Sequence, residues 1–342
     1  MQKEITSPGK LLDDSGRLAQ PGFARAPLQE YNPESIRVYP LRALNRLRLK
    51  EWDYYGITAP GFFFSATVSH IGYAGMVFVY YIDFVKKFCV ERSITIPFGK
   101  GCALPRTSER GDVVFENHGA RISFIKKDDR RELSIWWKDF YEGDCEARIT
   151  LYEPRQDSIV MSTPIGAKRF YYNRKINCLP AEGVVNVGGK RLALSRESSM
   201  GCLDWGRGVW DYSSFWNWAS ASGRVPGAGA VGLNLGAGFG DLSAATENCF
   251  FIDGVMTKLE WVDITYDPSA YMREWYFTSR DGRLNLTFTP FLERVAVTNL
   301  LVISSEVHQM FGTYRGVLRT DAGREYRVEK LVGWAEEHRA RW

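Results

Sequence analysis

Phe62-Phe63-Phe64-Ser65-Ala66-Thr67-Val68-Ser69-His70, followed by Ile71-Gly72-Tyr73-Ala74-Gly75 and then Met76-Val77-Phe78-Val79-Tyr80-Tyr81-Ile82-Asp83-Phe84, is the stretch on which the fold turns. Two runs rich in Phe, Val, Tyr and Ile, residues that suit a pleated and half-buried surface, flank a short turn carrying two glycines, which predicts a β-hairpin. Further short strands are predicted at Asp112–Glu116, Ala120–Ile125, Glu132–Trp137, Glu146–Tyr152 and Lys168–Arg174, divided by polar turns such as Lys126-Lys127-Asp128-Asp129. In the C-terminal half, Asp253-Gly254 and Asp281-Gly282 each separate two strand-like runs, the strongest short-range hairpin signal. After the second of these, Leu284, Leu286 and Phe288 alternate with Asn285, Thr287 and Thr289, one apolar and one polar face. Regularly spaced short strands without alternating helices predict an all-β chain and exclude a doubly wound sheet.

Two segments depart from this texture. The first forty residues hold Pro8, Gly9, Gly16, Pro21, Gly22, Pro27 and Pro33, a density of breakers that excludes a long element and predicts an arm over the surface. From Val328 to Trp342, Leu331, Trp334, Ala335, His338 and Trp342 fall on one stripe at 3.6-residue spacing, which predicts a short C-terminal helix packed against a barrel end. The expected organisation is an arm over 1–40, an N-terminal β-barrel over 41–185 and a C-terminal β-barrel with its helix over 186–342.

Lys and Arg number 44 against 40 Asp and Glu, a net charge of +4, and the basic groups are spread along the chain. That balance argues against nucleic acid as a partner and against a membrane-surface anchor. No stretch is apolar enough to span a bilayer, and the N-terminus lacks the apolar core of a signal peptide, so the chain is expected in the cytoplasm. Six cysteines without CxxC or zinc-knuckle spacing read as reduced core residues. His70, His118, His308 and His338 show no HxH or HExxH pattern, and Glu336-Glu337-His338 on the expected helix does not supply one, so neither metal nor cofactor is expected. No GxSxG elbow supports triad hydrolysis.

Aromatic residues make up 14% of the chain, and large rings in such quantity mean a β core or a ligand cavity. Four of the eleven tryptophans lie between Gly201 and Ser220, beside Asp204, Arg207 and Asp211. If Phe215–Ser222 is extended, Trp216, Trp218, Ser220 and Ser222 share one face and Asn217, Ala219 and Ala221 the other. In the functional reading, Asp204 or Asp211 is a general acid against a tryptophan-lined cavity, since apolar surroundings raise a carboxyl pKa. In the structural reading, Asp204 and Arg207 form a pair supporting a Gly-rich turn.

Alternation along Leu300–Phe311 puts Leu300, Val302, Ser304, Glu306, His308 and Met310 on one face, so that Glu306 and His308 become neighbours able to shuttle a proton. The bland alternative is a histidine on a half-exposed strand with a carboxylate across from it. Gly236–Asp241 lacks dinucleotide spacing, and its glycines fit a bulge or a close approach to ligand; Glu247 follows as a third carboxylate candidate. Trp52-Asp53-Tyr54-Tyr55 and Tyr171–Asn177 either complete the pocket from the first unit or form solvated edge strands.

Leu203–Trp210, Phe215–Gly223, Gly232–Gly240 and Gly333–His338, together with Tyr172–Asn177 and the segment from Gly9, resemble a bacterial domain-of-unknown-function family over nearly the whole chain. That likeness implies no particular activity and brings no catalytic residues with it. At greater distance the texture is similar to the carotenoid 1,2-hydratase and AttH-like superfamily, which implies two lipocalin-type barrels side by side and acid/base chemistry on apolar substrates.

The expectation is therefore an enzyme of hydratase, lyase or isomerase type acting on an apolar or amphipathic small molecule. An acid among Asp204, Asp211 and Glu306 donates the proton, His308 relays it, and Arg207 tunes the acid. Trp205, Trp210, Tyr212, Trp216, Trp218, Asn234 and Glu247 contribute to the binding surface. A glycoside-active enzyme with paired carboxylates and a lipocalin-like carrier without chemistry are the alternatives.

Overall fold

A computed structural model describes residues 2–300 and 303–341, without the side chains of residues 300 and 303. Val302 and Trp342, named above on a strand face and a helix stripe, lie outside the described residues. The chain is all-β, in two large antiparallel sheets. The spine of the first runs, from edge to edge, through Phe88–Pro97, Ala74–Asp83, Phe62–His70, Leu49–Ala59, Met200–Val209, Arg169–Val187, Cys145–Tyr152, Arg130–Trp137, Ala120–Lys126 and Val113–Glu116. The second runs Val255–Lys258, Cys249–Ile252, Gly229–Ala237, Ser213–Val225, Glu325–Arg341, Ile303–Arg319, Leu284–Leu300, Trp275–Ser279 and Val262–Thr265. The opening hairpin forms as read, with Phe62 opposite Asp83 and His70 opposite Gly75.

Both sheets curl. Tyr55, Ile57, Val77, Ile122, Leu133, Val185 and Leu203 meet in one buried cluster that takes in strands from both ends of the first sheet. Ala219, Leu233, Phe250, Phe277, Leu286, Met310 and Ala335 form the counterpart in the second. A third cluster, with Tyr54, Phe63, Tyr80, Trp218, Phe311 and Trp334, lies where the outer faces of the two sheets meet. Both faces of the strands there are buried, one in a barrel and one against the other sheet.

Three features differ from the sequence reading. Lys190–Leu194 and Met200–Val209, grouped above with the second unit, pair into the first sheet, and the chain crosses to the second only between Val209 and Ser213. Gly188 and Gly189, at φ 57° and 67°, make a hairpin turn within the sheet rather than a link between units. The N-terminal arm is not laid over the surface alone: Ile5, Leu11, Leu12, Tyr31 and Ile36 are buried in the first core. Near its start the Gln2 side chain donates to the Leu259 carbonyl and accepts from the Thr246 amide, the Lys3 amide donates to Ala244, and Arg25 donates to Asp157 and to the Met256 carbonyl. The arm thus ties one sheet to the other.

The expected C-terminal helix is a strand, Glu325–Arg341, paired on both sides along much of its length. The cause is a bulge: Val328 pairs with Gly316 and Leu331 with Tyr314, so Glu329 and Lys330 stand opposite the single residue Arg315. Lys330 takes the left-handed φ of 56°. Such a bulge shifts the alternation by one residue, so Val328 and Leu331 both enter the core three positions apart. A spacing of three is what an amphipathic helix shows.

Candidate functional site

Alternation on the meeting faces builds a cavity of about 260 Å³ between the sheets. Lys50, Trp52 and Tyr54 point into it from one strand of the first sheet, and Met76, Phe78 and Tyr80 from another. Tyr171, Lys175 and Asp204 come from the two strands beside them. The second sheet contributes Trp216 and Trp218, Ser305, Val307 and Gln309, and Glu336 and His338, each row at a spacing of two. Indole and phenyl rings close one end: Trp210 packs edge-on against Trp52, Trp216 and Phe239 at centroid separations of 5.1, 5.9 and 4.8 Å. Phe239 stands between Gly238 and Gly240, which take φ values of 86° and 73° that favour glycine. It also lines a second, outer pocket of about 360 Å³ beside Asp211, Ser213 and Asp241.

Glu336 is the central acid. It is 7% exposed; Trp216 Nε1 donates to one carboxyl oxygen at 3.2 Å and Gln309 Nε2 to the other at 3.1 Å. The Gln309 amide is oriented from behind, because its oxygen accepts from the Tyr80 hydroxyl and from Arg294 Nη1. Burial pushes the Glu336 carboxyl up to about 7; the Trp216 hydrogen bond and the charges of Arg294 and Lys175 oppose the shift, and Asp204 adds to it. Near neutral pH much of it is therefore protonated. Glu336 lines the cavity with an N–H on each carboxyl oxygen.

A second carboxyl pairs with a lysine nearby. Asp204 Oδ2 lies 3.3 Å from Lys175 Nζ, and Glu247 Oε2 lies 3.6 Å from the same ammonium. Burial works against the charge of Lys175, but Asp204, Glu247 and Glu336 outweigh it and hold its pKa above the ordinary value. The ammonium sits 3.9 Å from the centroid of the Trp218 ring, a cation–π contact. Asn234 accepts from Trp218 Nε1 at 2.8 Å and donates to the Glu247 carbonyl at 2.9 Å, fixing both. Asp204 Oδ1 is buried and has no hydrogen-bond partner among the described residues.

His338 completes the wall. Its Nε2 is 2.8 Å from Ser305 Oγ, and its ring lies 4.0 Å from that of Trp216. Desolvation, with the charge of Arg294, lowers its pKa to about 3, so the imidazole is neutral. Two residues along the strand from Trp52, Lys50 donates to the Ile71 carbonyl at 3.1 Å, and burial with the nearby Arg48 lowers its pKa to about 7. Among the described residues no group of three or more His, Cys, Asp and Glu side chains is placed to hold a metal ion.

The family described as "Domain of unknown function (DUF2804)" matches residues 2–342. The chain belongs to this family. Among solved structures, that of a candidate AttH from Nitrosomonas europaea aligns with a TM-score of 0.51 at 12% identity, over 86% of this chain and 92% of its own. Kievitone hydratase from Nectria haematococca gives 0.47 at 12% identity, over 92% and 96%, and CghA with Sch210972 gives 0.46 at 11%, over 86% and 89%. No curated sequence matches. The likeness to the AttH protein is one of fold, and it agrees with the resemblance carried by the motifs.

Of the residues singled out in the sequence of this DUF2804 protein, Asp204, Trp210, Trp216, Trp218 and Glu247 line the cavity, and Asn234 braces it from behind. Trp52, Tyr54, Tyr171 and Lys175 complete it from the first unit. Trp205 and Arg207 sit on the opposite face of the strand from Asp204. Trp205 packs in the first core, and Arg207, fully buried, pairs with Asp53 at 2.9 Å. Arg207 is thus a structural cation of the first barrel, with Asp53 and Glu51 and not Asp204 as its partners. Asp211 is half exposed and paired with Arg169 at 2.6 Å, and Tyr212 is 50% exposed.

Glu306 and His308 are not brought to the cavity. Ser305, Val307 and Gln309 point there, so their neighbours face away. His308 is held instead between Glu293 at 2.7 Å and Glu306 at 3.1 Å, stacked on Tyr271. Sequence reasoning missed Glu336, His338 and Gln309. The signal for the first two was Trp334-x-Glu336-x-His338 at a spacing of two, hidden by the helical reading of that segment.

Proposed function

We propose that the DUF2804 chain is an acid/base enzyme of hydratase, lyase or isomerase type, acting in the inter-sheet cavity on an apolar or amphipathic small molecule. One observation carries this reading. A carboxyl group whose burial raises its pKa to about 7 lines an aromatic cavity with an N–H on each oxygen, and a second carboxyl is held on a lysine beside it. Two carboxyls in unlike surroundings, one desolvated and one on an ammonium, are a usual arrangement for an acid and a base.

In a hydration, Glu336 gives its proton to one carbon of a double bond and the indoles of Trp216 and Trp218 face the cation that forms at the other. Water adds there and loses its proton to Asp204 Oδ1, and the two carboxyls return to their starting states by proton exchange. Run in reverse, the same steps eliminate water. Loss of a different proton from the cation gives an isomer. The apolar walls around these groups lower the local dielectric, which strengthens each of these electrostatic terms.

A lipocalin-like carrier needs no buried acid, and Glu336 is the feature it leaves without a role. The test is turnover of isoprenoid, lipid and aryl-glycoside panels by the wild type, Glu336→Gln and Asp204→Asn. Glu336→Gln is expected to lose 100-fold or more, in the range of a general acid. Wild-type kcat/KM is expected to fall as pH rises through about 7, since the acid must be protonated. Full turnover in Glu336→Gln overturns the assignment. Turnover confined to the glycosides moves the reaction to the paired-carboxylate class.

A further inference from the structure

Arg37-Val38-Tyr39-Pro40-Leu41-Arg42-Ala43-Leu44-Asn45-Arg46-Leu47-Arg48-Leu49-Lys50 carries five basic residues and no acidic one. The near-neutral balance of the whole chain conceals this stretch in the sequence. Arg42–Arg46 form a single helical turn, and Tyr39, Leu41, Leu44 and Leu47 around it are 38%, 62%, 42% and 42% exposed. Four of the fourteen exposed large hydrophobics among the described residues thus fall between positions 39 and 47, a local concentration and not the ordinary scatter of surface apolar groups. Arg42 and Arg46, also exposed, interleave with the leucines.

A second feature adjoins it. Phe98 is 78% exposed and held at φ 55°, a conformation rare for a bulky residue and kept where structure around it imposes it. Its amide donates to Tyr73 at 2.8 Å. The same turn abuts the basic stretch, since a Cβ on Gly72 would come within 2.2 Å of the Leu47 carbonyl. Both features border one end of the cavity: Lys50 and Ile71 line it, and Arg48 donates at 3.2 Å to the carbonyl of Trp210, which also lines it.

We propose that this rim docks on an anionic lipid bilayer and holds the cavity end against the membrane, from which an apolar substrate passes in. Leucines and a phenylalanine interleaved with arginines suit the bilayer interface, where apolar groups enter the acyl boundary and guanidinium groups meet phosphate. A second copy of the chain suits it poorly. A two-fold contact would set this uniformly cationic strip against itself. The docking rests on the rim alone; delivery of substrate rests in addition on the cavity function proposed above.

Cosedimentation of the full chain with phosphatidylcholine vesicles, with and without phosphatidylglycerol, tests it. Binding is expected to rise at least about tenfold with the anionic lipid and to weaken with added salt. Arg42→Gln/Arg46→Gln is expected to lower it roughly thirtyfold, the size expected for two arginines at such a surface, and Leu41→Glu/Leu44→Glu to abolish it. Near-UV circular dichroism and turnover of water-soluble substrate are expected to stay unchanged in both variants. Equal binding to both vesicle types, or binding insensitive to the substitutions, overturns the proposal. A dimer broken by Leu41→Glu/Leu44→Glu overturns it in favour of a second copy. Vesicle binding is read without substrate, so its absence leaves the chemistry of Glu336 standing, and an active Glu336→Gln leaves the docking standing.

Discussion

Two glutamate–histidine pairs lie on neighbouring strands of the second sheet, each with one residue between its members, and they end in opposite states. Glu306 and His308 face away from the inter-sheet cavity; the Glu306 side chain is 53% exposed and that of His308 20%. There burial lowers the histidine's pKa, but hydrogen bonds to Glu293 and Glu306 outweigh it and raise it above its ordinary value. Glu336 and His338 face the other sheet, where desolvation dominates: the acid rises to about 7 and the histidine falls to about 3. The first pair is thus tuned to hold a proton on its imidazole, and the second to hold one on its carboxyl beside a neutral imidazole. The same residue types at the same spacing thus give an ion pair or a proton donor according to which face of the sheet they occupy.

The contrast can be broken first through activity. Glu306→Gln is expected to stay within about twofold of wild-type turnover, against the 100-fold or greater loss in Glu336→Gln; comparable losses in both would erase the distinction between the faces. Stability against pH sharpens it. Because the folded-state pKa of Glu336 is raised, the folded protein binds the extra proton, and this contribution is lost as pH rises from the ordinary carboxyl value through about 7. Urea unfolding between pH 5 and 8 is expected to show a fall of about 3 kcal/mol that is absent in Glu336→Gln.

His308 has the same sign for a different reason. Its raised pKa gives stability fully present below the unfolded value and lost as pH rises through the folded one. His308→Gln is therefore expected to cost on the order of 1 kcal/mol more at pH 6 than at pH 9. The smallest effect is spectroscopic. In a proton NMR titration the His308 ring is expected to change charge above pH 6.5 and the His338 ring to stay neutral down to about pH 4. Matching midpoints would show that burial does not separate them.

Much of the site was legible where alternation runs unbroken. Trp216 and Trp218 were read on one face and Ala219 and Ala221 on the other, and the structure puts the indoles in the cavity wall and the alanines in the second core. Asp204 stands out in the sequence because acids among tryptophans are conspicuous, and its side chain lines the cavity. Grouping it with Trp205 and Arg207 failed because adjacent residues on a strand face opposite ways. On Glu325–Arg341 both faces are largely buried, so polar residues do not mark an outer side, and the bulge at Lys330 changes the phase once. Period two then imitates 3.6 over the residues that matter most. Face assignment also misplaced His308, for which alternation gave the right neighbours but not which of the two buried spaces they enter.

The stitching of the N-terminal arm bears on how a ligand reaches its chamber. Because Gln2, Lys3 and Arg25 hold residues within or just after the second sheet's strands while the arm itself sits in the first core, the two halves cannot part along their seam without tearing that attachment. Traffic then falls to side chains and loops at the ends of the chamber, and a truncation before Ala24 or a fusion pulling on Gln2 would alter the width available inside.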